Sequence, residues 1–242
     1  MTKFSIFESP SITEELLAFL EIYRKRVIQD NQYGMLSVGN FYLWLLLRNL
    51  KPAAVIESGV WKGQSTWMIE QAVPHAQIIS IDPELQNRVY ISPNASYTSE
   101  DFQKLDLHTT LNNEVRSTVC FFDDHQNAFE RVLQCREKGI KHLIFDDNYP
   151  PGFCDNRIDP HLSLRKCFEM QEHCEKAEVL KQIIKQYFIM PPIIEKVIWF
   201  TDCVIPALWQ SLEDIEMSKQ EKMRIFEEDS HSYRWMTYLE LV

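Results

Sequence analysis

The sequence predicts an α/β protein: a doubly wound, mostly parallel sheet preceded by N-terminal helices and closed by a C-terminal antiparallel strand. Three observations predict it. Short apolar runs at 53–57, 77–81, 117–122 and 140–145 alternate with helix-like stretches, as in βαβ units. The first run passes through a glycine-bearing turn into a helix, and the last two runs end in paired acids. No internal repeat or low-complexity tract breaks the alternation.

Each element has a local reason. Residues 11–29 read as an amphipathic helix, with Ser11 and Glu14 at capping-box spacing and Leu16, Leu20, Tyr23 and Val27 at helical intervals. A second helix, about 40–50, is apolar almost all round and stops at Lys51-Pro52. Ala53 to Glu57 reads as a buried strand and leads into Ser58-Gly59. Residues 64–73 read as a helix ended by Pro74, and Gln77 to Ile81 as a strand ending at Asp82-Pro83. Ser117 to Phe122 is a strand ending in Asp123-Asp124-His125. Gln126 to Lys138 follows as a helix, with Ala128, Phe129, Val132 and Leu133 on one face and Gly139 as its stop. Ile140 to Phe145 is a further strand, ending in Asp146-Asp147-Asn148. After Pro150-Pro151-Gly152 come a loop, a helical stretch over 161–186, a helix over Ser211 to Glu227 and a closing strand over Arg234 to Val242. The whole of 1–242 reads as one domain: a helical cap (1–50), a ligand-binding core (51–150) and a segment completing the sheet (151–242).

Composition narrows the function. With 45% hydrophobic and 25% charged residues over 242 positions, the chain is neither a disordered tail nor a disulfide-dense miniprotein. A net charge of −10, with the basic residues scattered among acids, disfavours nucleic acid and anionic membrane surfaces as partners. The longest apolar stretch, Phe41 to Leu47, is far shorter than the roughly 20 residues of a membrane span. The six cysteines contain no Cys-x-x-Cys pair, and no stretch has the pattern of a secretory leader, so free thiols in a reducing cytoplasm are expected. Cys167 and Cys174, seven residues apart on a helical stretch, read as core residues.

The chemistry concentrates at strand ends, the edge where open α/β sheets bind ligands. Glu57-Ser-Gly59-Val-Trp61-Lys-Gly63-Gln-Ser65 lies between a strand and a helix. Glycines there admit close backbone approach, and the helix that follows offers free N–H groups to an anion. Asp82 ends the next strand, 23 residues after Gly59, where an acid can hydrogen-bond both ribose hydroxyls. A nicotinamide site would more often show Gly-x-Gly-x-x-Gly, which this turn lacks. Blander readings stand beside these. The glycine turn also suits an ordinary tight connection, Asp123-Asp124 a helix cap, Asp146-Asp147 a polar loop, and Trp61 simple packing.

Val55-Ile56-Glu57-Ser-Gly59-Val-Trp-Lys-Gly63-Gln-Ser65, followed by Ile79-Ser-Ile81-Asp82, resembles motifs I and II of class I S-adenosylmethionine-dependent methyltransferases, which have a Rossmann-like sheet. The Glu-x-Gly-x-x-x-Gly-x-Ser form is particularly similar to the branch of cephalosporin-hydroxylase-like proteins and macrolide sugar O-methyltransferases, and the strand-end acids agree with that branch. The resemblance covers about residues 35–152. It implies that Glu57, Gly59, Gly63 and Ser65 surround the methionine end of S-adenosylmethionine, that Trp61 and Asp123 border the same pocket, and that Asp82 holds the ribose. Metal-dependent members hold magnesium on strand-end carboxylates, which transfers to Asp123 or Asp124 with Asp146 and Asp147. The family usually spaces the strand-four acid and histidine one residue further apart, so the choice between Asp123 and Asp124 stays open at this stage.

The function this implies is methyl transfer to a hydroxyl of a small molecule or sugar. His125, with Asp124 beside it, would act on the hydroxyl proton, since a histidine ordinarily titrates near pH 6.5. The alternative is a non-catalytic nucleoside-binding or assembly module, with Trp199, Trp209 and Trp235 exposed for a partner or a homodimer.

Overall fold

The computed structural model describes residues 11–107, 111, 114–152, 161–193, 208 and 233–242. Runs that are apolar at consecutive positions become strands because both of their faces can be covered. They are β1 (Ala54–Ser58), β2 (Gln77–Ile81), β3 (Ala95–Thr98), β4 (Thr118–Phe122), β5 (His142–Phe145), β6 (Ile184–Ile189) and β7 (Thr237–Leu241). They form a seven-stranded sheet in the order β3-β2-β1-β4-β5-β7-β6. β1 to β5 pair in parallel, and β7 runs antiparallel to both β5 and β6. This is the predicted Rossmann-like architecture. The chain builds outward from β1 to β3, then returns to place β4 on the other side of β1. Ligand crevices open at such a reversal, outside the carboxyl ends of the strands.

Helices cover both faces. Val55, Ile78, Val119, Phe121, Ile144 and Tyr238 share one core with α1 (Ser11–Tyr23), α2 (Ser37–Leu50) and α3 (Gln64–Ala72). Ile56, Ile79, Cys120, Phe122, Leu143 and Leu239 turn to the other, against α4 (Ala128–Glu137), α5 (Leu164–Glu169) and α6 (Cys174–Ile183). This alternation is the period-two geometry of strands. α2 buries ten consecutive-turn residues, including Trp44 at 1% exposure, which explains why it reads as apolar all round.

Several expectations are corrected. α1 stops at Tyr23 rather than 29, where Lys25 and Arg26 close short turns onto Ile22 and Tyr23 and Val27 is exposed, with no apolar cover to sustain another turn. The helical stretch expected over 161–186 is broken at Met170, and its last residues enter β6, which α6 joins directly at Ile184. β3 is an additional strand that no apolar run announces, at the edge of the sheet. Cys174 is exposed while Cys167 is buried. Trp235 is buried against Tyr149 and Tyr233 at 2% exposure, so it offers no surface to a partner. Trp199, Trp209 and the helix expected over Ser211–Glu227 lie outside the described residues. Among the described residues no helix is long and apolar enough to cross a membrane.

Candidate functional site

The loop leaving β1 needs its glycines for space as much as for conformation. Gly59 has φ +98°, and a Cβ there would stand 2.2 Å from the Asp123 carbonyl oxygen. Gly63 has φ +92°, and its Cβ would stand 2.5 Å from the Tyr90 carbonyl oxygen. The β1 loop is thereby pressed against the end of β4 on one side and the loop after β2 on the other. Asp82 holds it from below: its carboxylate accepts from the Val60 and Trp61 N–H groups at 2.8 and 3.0 Å and from the Glu84 N–H at 2.7 Å. Trp61 is 40% exposed on the rim and donates its indole N–H to the Gln32 carbonyl.

Glu57 is fully buried under this loop. Thr66 and Ser80 donate their hydroxyls to its Oε2 at 2.6 and 2.7 Å. Burial pushes its carboxyl above the ordinary value, against the pull of the Ser65, Thr66 and Ser80 hydroxyls. Gln64, which opens α3, is 2% exposed, and neither polar atom of its amide has a partner. An unpaired buried amide costs about 1–3 kcal/mol, so Gln64 is a ligand-facing candidate that sequence reasoning passed over.

Beside this loop, the ends of β4 and β5 bring acids together. Ligand atoms of Asp123, His125 and Asp147 all lie within 4.8 Å of one another. His125 Nε2 is 2.9 Å from Asp147 Oδ2 and 3.9 Å from Asp123 Oδ1. Asp147 also accepts from the Tyr149 hydroxyl at 2.5 Å and from Arg234 Nη1 at 3.1 and 3.2 Å. Both His125 (φ +52°) and Asp147 (φ +54°) are left-handed, a conformation that costs non-glycine residues about 1–2 kcal/mol and concentrates at functional sites. His161 adds its Nε2 to the Asp147 carbonyl at 2.7 Å.

Charges at this edge are unequal. Burial, then the neighbouring Asp146 and Asp147, push the Asp123 carboxyl well above its ordinary value. Burial and the charge of Asp147 push Asp146 up to about 7. Burial would raise Asp147 too, but the His125 hydrogen bond and the Arg234 charge outweigh it and hold the carboxyl at about 2. Asp146 is 3% exposed and neither of its oxygens meets a donor at hydrogen-bonding geometry. It lines a small cavity with Met35, Tyr42, Tyr233, Arg234 and Met236, on the α2 side.

Adjacent aspartates at the end of β4 have different surroundings. Asp124 accepts from Ser58 Oγ at 2.7 Å and from Arg131 Nε at 3.0 Å, and Arg131 in turn grips Asp101. Asp124 therefore ties the end of β1 to α4, while Asp123 stands with His125 and Asp147. Tyr149, His161 and Arg234 were missed because each reaches Asp147 through chain geometry that no local motif announces.

Fold and site together define an α/β protein with a glycine loop packed on the end of β4 and an acid–histidine cluster at the carboxyl ends of β4 and β5. No protein-family model and no curated protein matches the sequence. Among solved structures, an O-methyltransferase from Bacillus cereus in complex with S-adenosylhomocysteine is similar over 97% of this chain and 91% of its own, at 12% identity and a TM-score of 0.49. TomG from Streptomyces achromogenes, an O-methyltransferase of tomaymycin synthesis in complex with S-adenosylmethionine, is similar over 95% and 90%, at 10% identity and a TM-score of 0.49. A Mg-SAM form of CmcI is similar over 71% and 76%, at 17% identity and a TM-score of 0.43. At these values none of them bears on what this chain binds, which rests on its own side chains.

Proposed function

We propose that the chain is an S-adenosylmethionine-dependent methyltransferase acting on a hydroxyl oxygen of a small molecule or sugar, assisted by a divalent cation such as magnesium. The observation that carries this reading is the contact between Gly59 and Asp123. It sets the glycine loop directly against the strand end that carries the acid–histidine cluster, an approach at which a Cβ would stand 2.2 Å from the Asp123 carbonyl oxygen. The motif resemblance supplies the nucleoside, and the absence of Gly-x-Gly-x-x-Gly argues against a nicotinamide.

S-adenosylmethionine, when bound, supplies a sulfonium methyl that needs no activation. The chain must then hold an acceptor oxygen in line with it, about 3 Å away. Gly59 and Gly63 let the loop close on Asp123 and Tyr90 and so set its path beside the cofactor, Ser65 and the buried Glu57 shape the loop beneath its methionine end, and Trp61 stands exposed on the rim. Asp82 organises the loop through Val60 and Trp61. A carboxylate has about four acceptor positions, so with three donors in place it retains one for a ribose hydroxyl.

The donor set fits a hard divalent cation, because Asp123 and Asp147 converge and the buried Asp146 carboxylate beside them has no donor. Asp123 and Asp147 would hold it, with Asp146 the third acid of the edge, and it would lower the pKa of an acceptor hydroxyl. His125, oriented through Nε2 by Asp147, takes the hydroxyl proton at Nδ1. Asp124 serves by fixing the strand-end geometry through Ser58 and Arg131.

Calorimetric titration with S-adenosylhomocysteine, with and without magnesium and beside an NAD control, tests the reading. Micromolar binding, about −8 kcal/mol, is expected for the thioether and none for NAD. No heat with S-adenosylhomocysteine under either condition would end the methyltransferase assignment.

A further inference from the structure

Arg234 stands three residues before β7 and puts Nη1 against both carboxylate oxygens of Asp147, at 3.1 and 3.2 Å, with the Tyr149 hydroxyl 3.5 Å away. As Arg131 does for Asp124, it supplies the guanidinium that pairs with Asp147. A guanidinium stays charged throughout the working pH range, so it does not leave by losing a proton. We propose that Arg234 is a tethered competitor for the divalent cation: it occupies Asp147 when no metal is bound, and metal affinity is set by how readily it withdraws.

Two features of the molecule support this. The oxygens Arg234 covers belong to the same Asp147 carboxylate that converges with Asp123 and His125, so a divalent ion seated there would meet a like charge at contact distance. The two partners also differ in freedom. The Asp147 side chain is 1% exposed and held by Tyr149, whereas the Arg234 side chain is 26% exposed and extends from irregular chain, so only the arginine can swing to water. Competition of this kind multiplies the intrinsic metal affinity by the fraction of molecules in which the arginine has withdrawn, and leaves the one-site titration its ordinary shape.

The proposal rests on the reading of this edge as a metal site, and its test separates the two. The full chain is titrated calorimetrically with manganese as the probe, for the wild type, Arg234→Met and Arg234→Lys, with circular dichroism to establish folding. Arg234→Met is expected to bind manganese at least tenfold more tightly than the wild type, and Arg234→Lys to stay within threefold of it. Equal affinity of wild type and Arg234→Met, or no manganese binding by either, overturns the proposal. A gain in Arg234→Lys as large as that in Arg234→Met overturns the charge argument. Should Arg234→Met fail to fold, phenylglyoxal labelling of the wild type followed by mass spectrometry gives an independent reading. Manganese should speed modification of Arg234 several-fold, and an unchanged rate at saturating metal refutes the displacement. S-adenosylhomocysteine is titrated into the same samples. Loss of that heat with the manganese result intact would fail the methyltransferase reading while leaving Arg234 in its role.

Discussion

Replacing Gly59 by alanine separates two costs that usually arrive together. The residue has φ +98°, and its new Cβ would stand 2.2 Å from the Asp123 carbonyl oxygen, 2.5 Å from its carbon and 3.0 Å from the Asp124 nitrogen, where ordinary contact begins at 3.4 Å. All of these are backbone atoms, so no side chain can rotate out of the way. The chain is also pinned on both sides, by Gly59 N–H to Ile81 at 2.9 Å and Asp123 N–H to Ser58 at 2.8 Å. Left-handed strain contributes about 1–2 kcal/mol. Overpacking adds about 1–3 kcal/mol, and weakening one of the flanking hydrogen bonds about 1 kcal/mol. The expected loss is about 3–6 kcal/mol, or a melting temperature lower by roughly 6–24 °C for a domain of this size.

Gly139→Ala is the control. Its φ is +76°, but the nearest atom to the new Cβ is Val115 Cγ1 at 3.9 Å, so only the strain of about 1–2 kcal/mol applies. Urea unfolding of both variants gives the comparison. Equal losses would refute the argument that close approach, rather than conformation alone, demands Gly59. Gly59→Ala should also weaken S-adenosylhomocysteine binding, because the displaced atoms carry Asp123 with them.

Two further outcomes follow from the charges. The Asp146 carboxyl stands at about 7 instead of 3.8, so its contribution is fully favourable below about pH 4 and is lost as pH rises through 7. Asp146→Asn should therefore gain about 2–4 kcal/mol of stability at pH 8 and little at pH 4, and urea midpoints that move equally at both pH values would contradict the burial argument. Arg131→Met strips the nearly buried Asp124 of its cation, a loss of about 3 kcal/mol. Adding Asp124→Asn should restore part of that loss in the same unfolding assay, and strict additivity of the two changes would show that the pair is not coupled.

Legibility varied with how locally each feature is encoded. β2 was read with both boundaries correct, because a strand buried on both faces writes its own contiguous apolar run between Pro74 and Asp82-Pro83. β3 and β6 sit at the two edges of the sheet, where half-exposed sequences such as Ala-Ser-Tyr-Thr carry no such run. β6 is a strand because β7 pairs with it from about fifty residues away, and a helical pattern reads straight through its start. No local pattern marks Trp235 as buried, because its burial is decided in space by Tyr149 and Tyr233.

By itself the sequence determined the alternating strands and helices, the glycine loop after β1 and the acids at the ends of β2, β4 and β5. Each of these is written in a window of a few residues, because periodicity, turn chemistry and strand-end polarity are local properties of the chain. Only the tertiary structure decided which acid does what. Asp123 and Asp124 are neighbours of the same type, and their roles part because Ser58 and Arg131 engage one while His125 and Asp147 approach the other. Arg234 meets Asp147 across 87 residues of sequence, and that contact exists because β7 enters the sheet antiparallel beside β5. The charge state of a buried carboxylate is set by whatever surrounds it in space, and those surroundings come from parts of the chain that no local pattern connects.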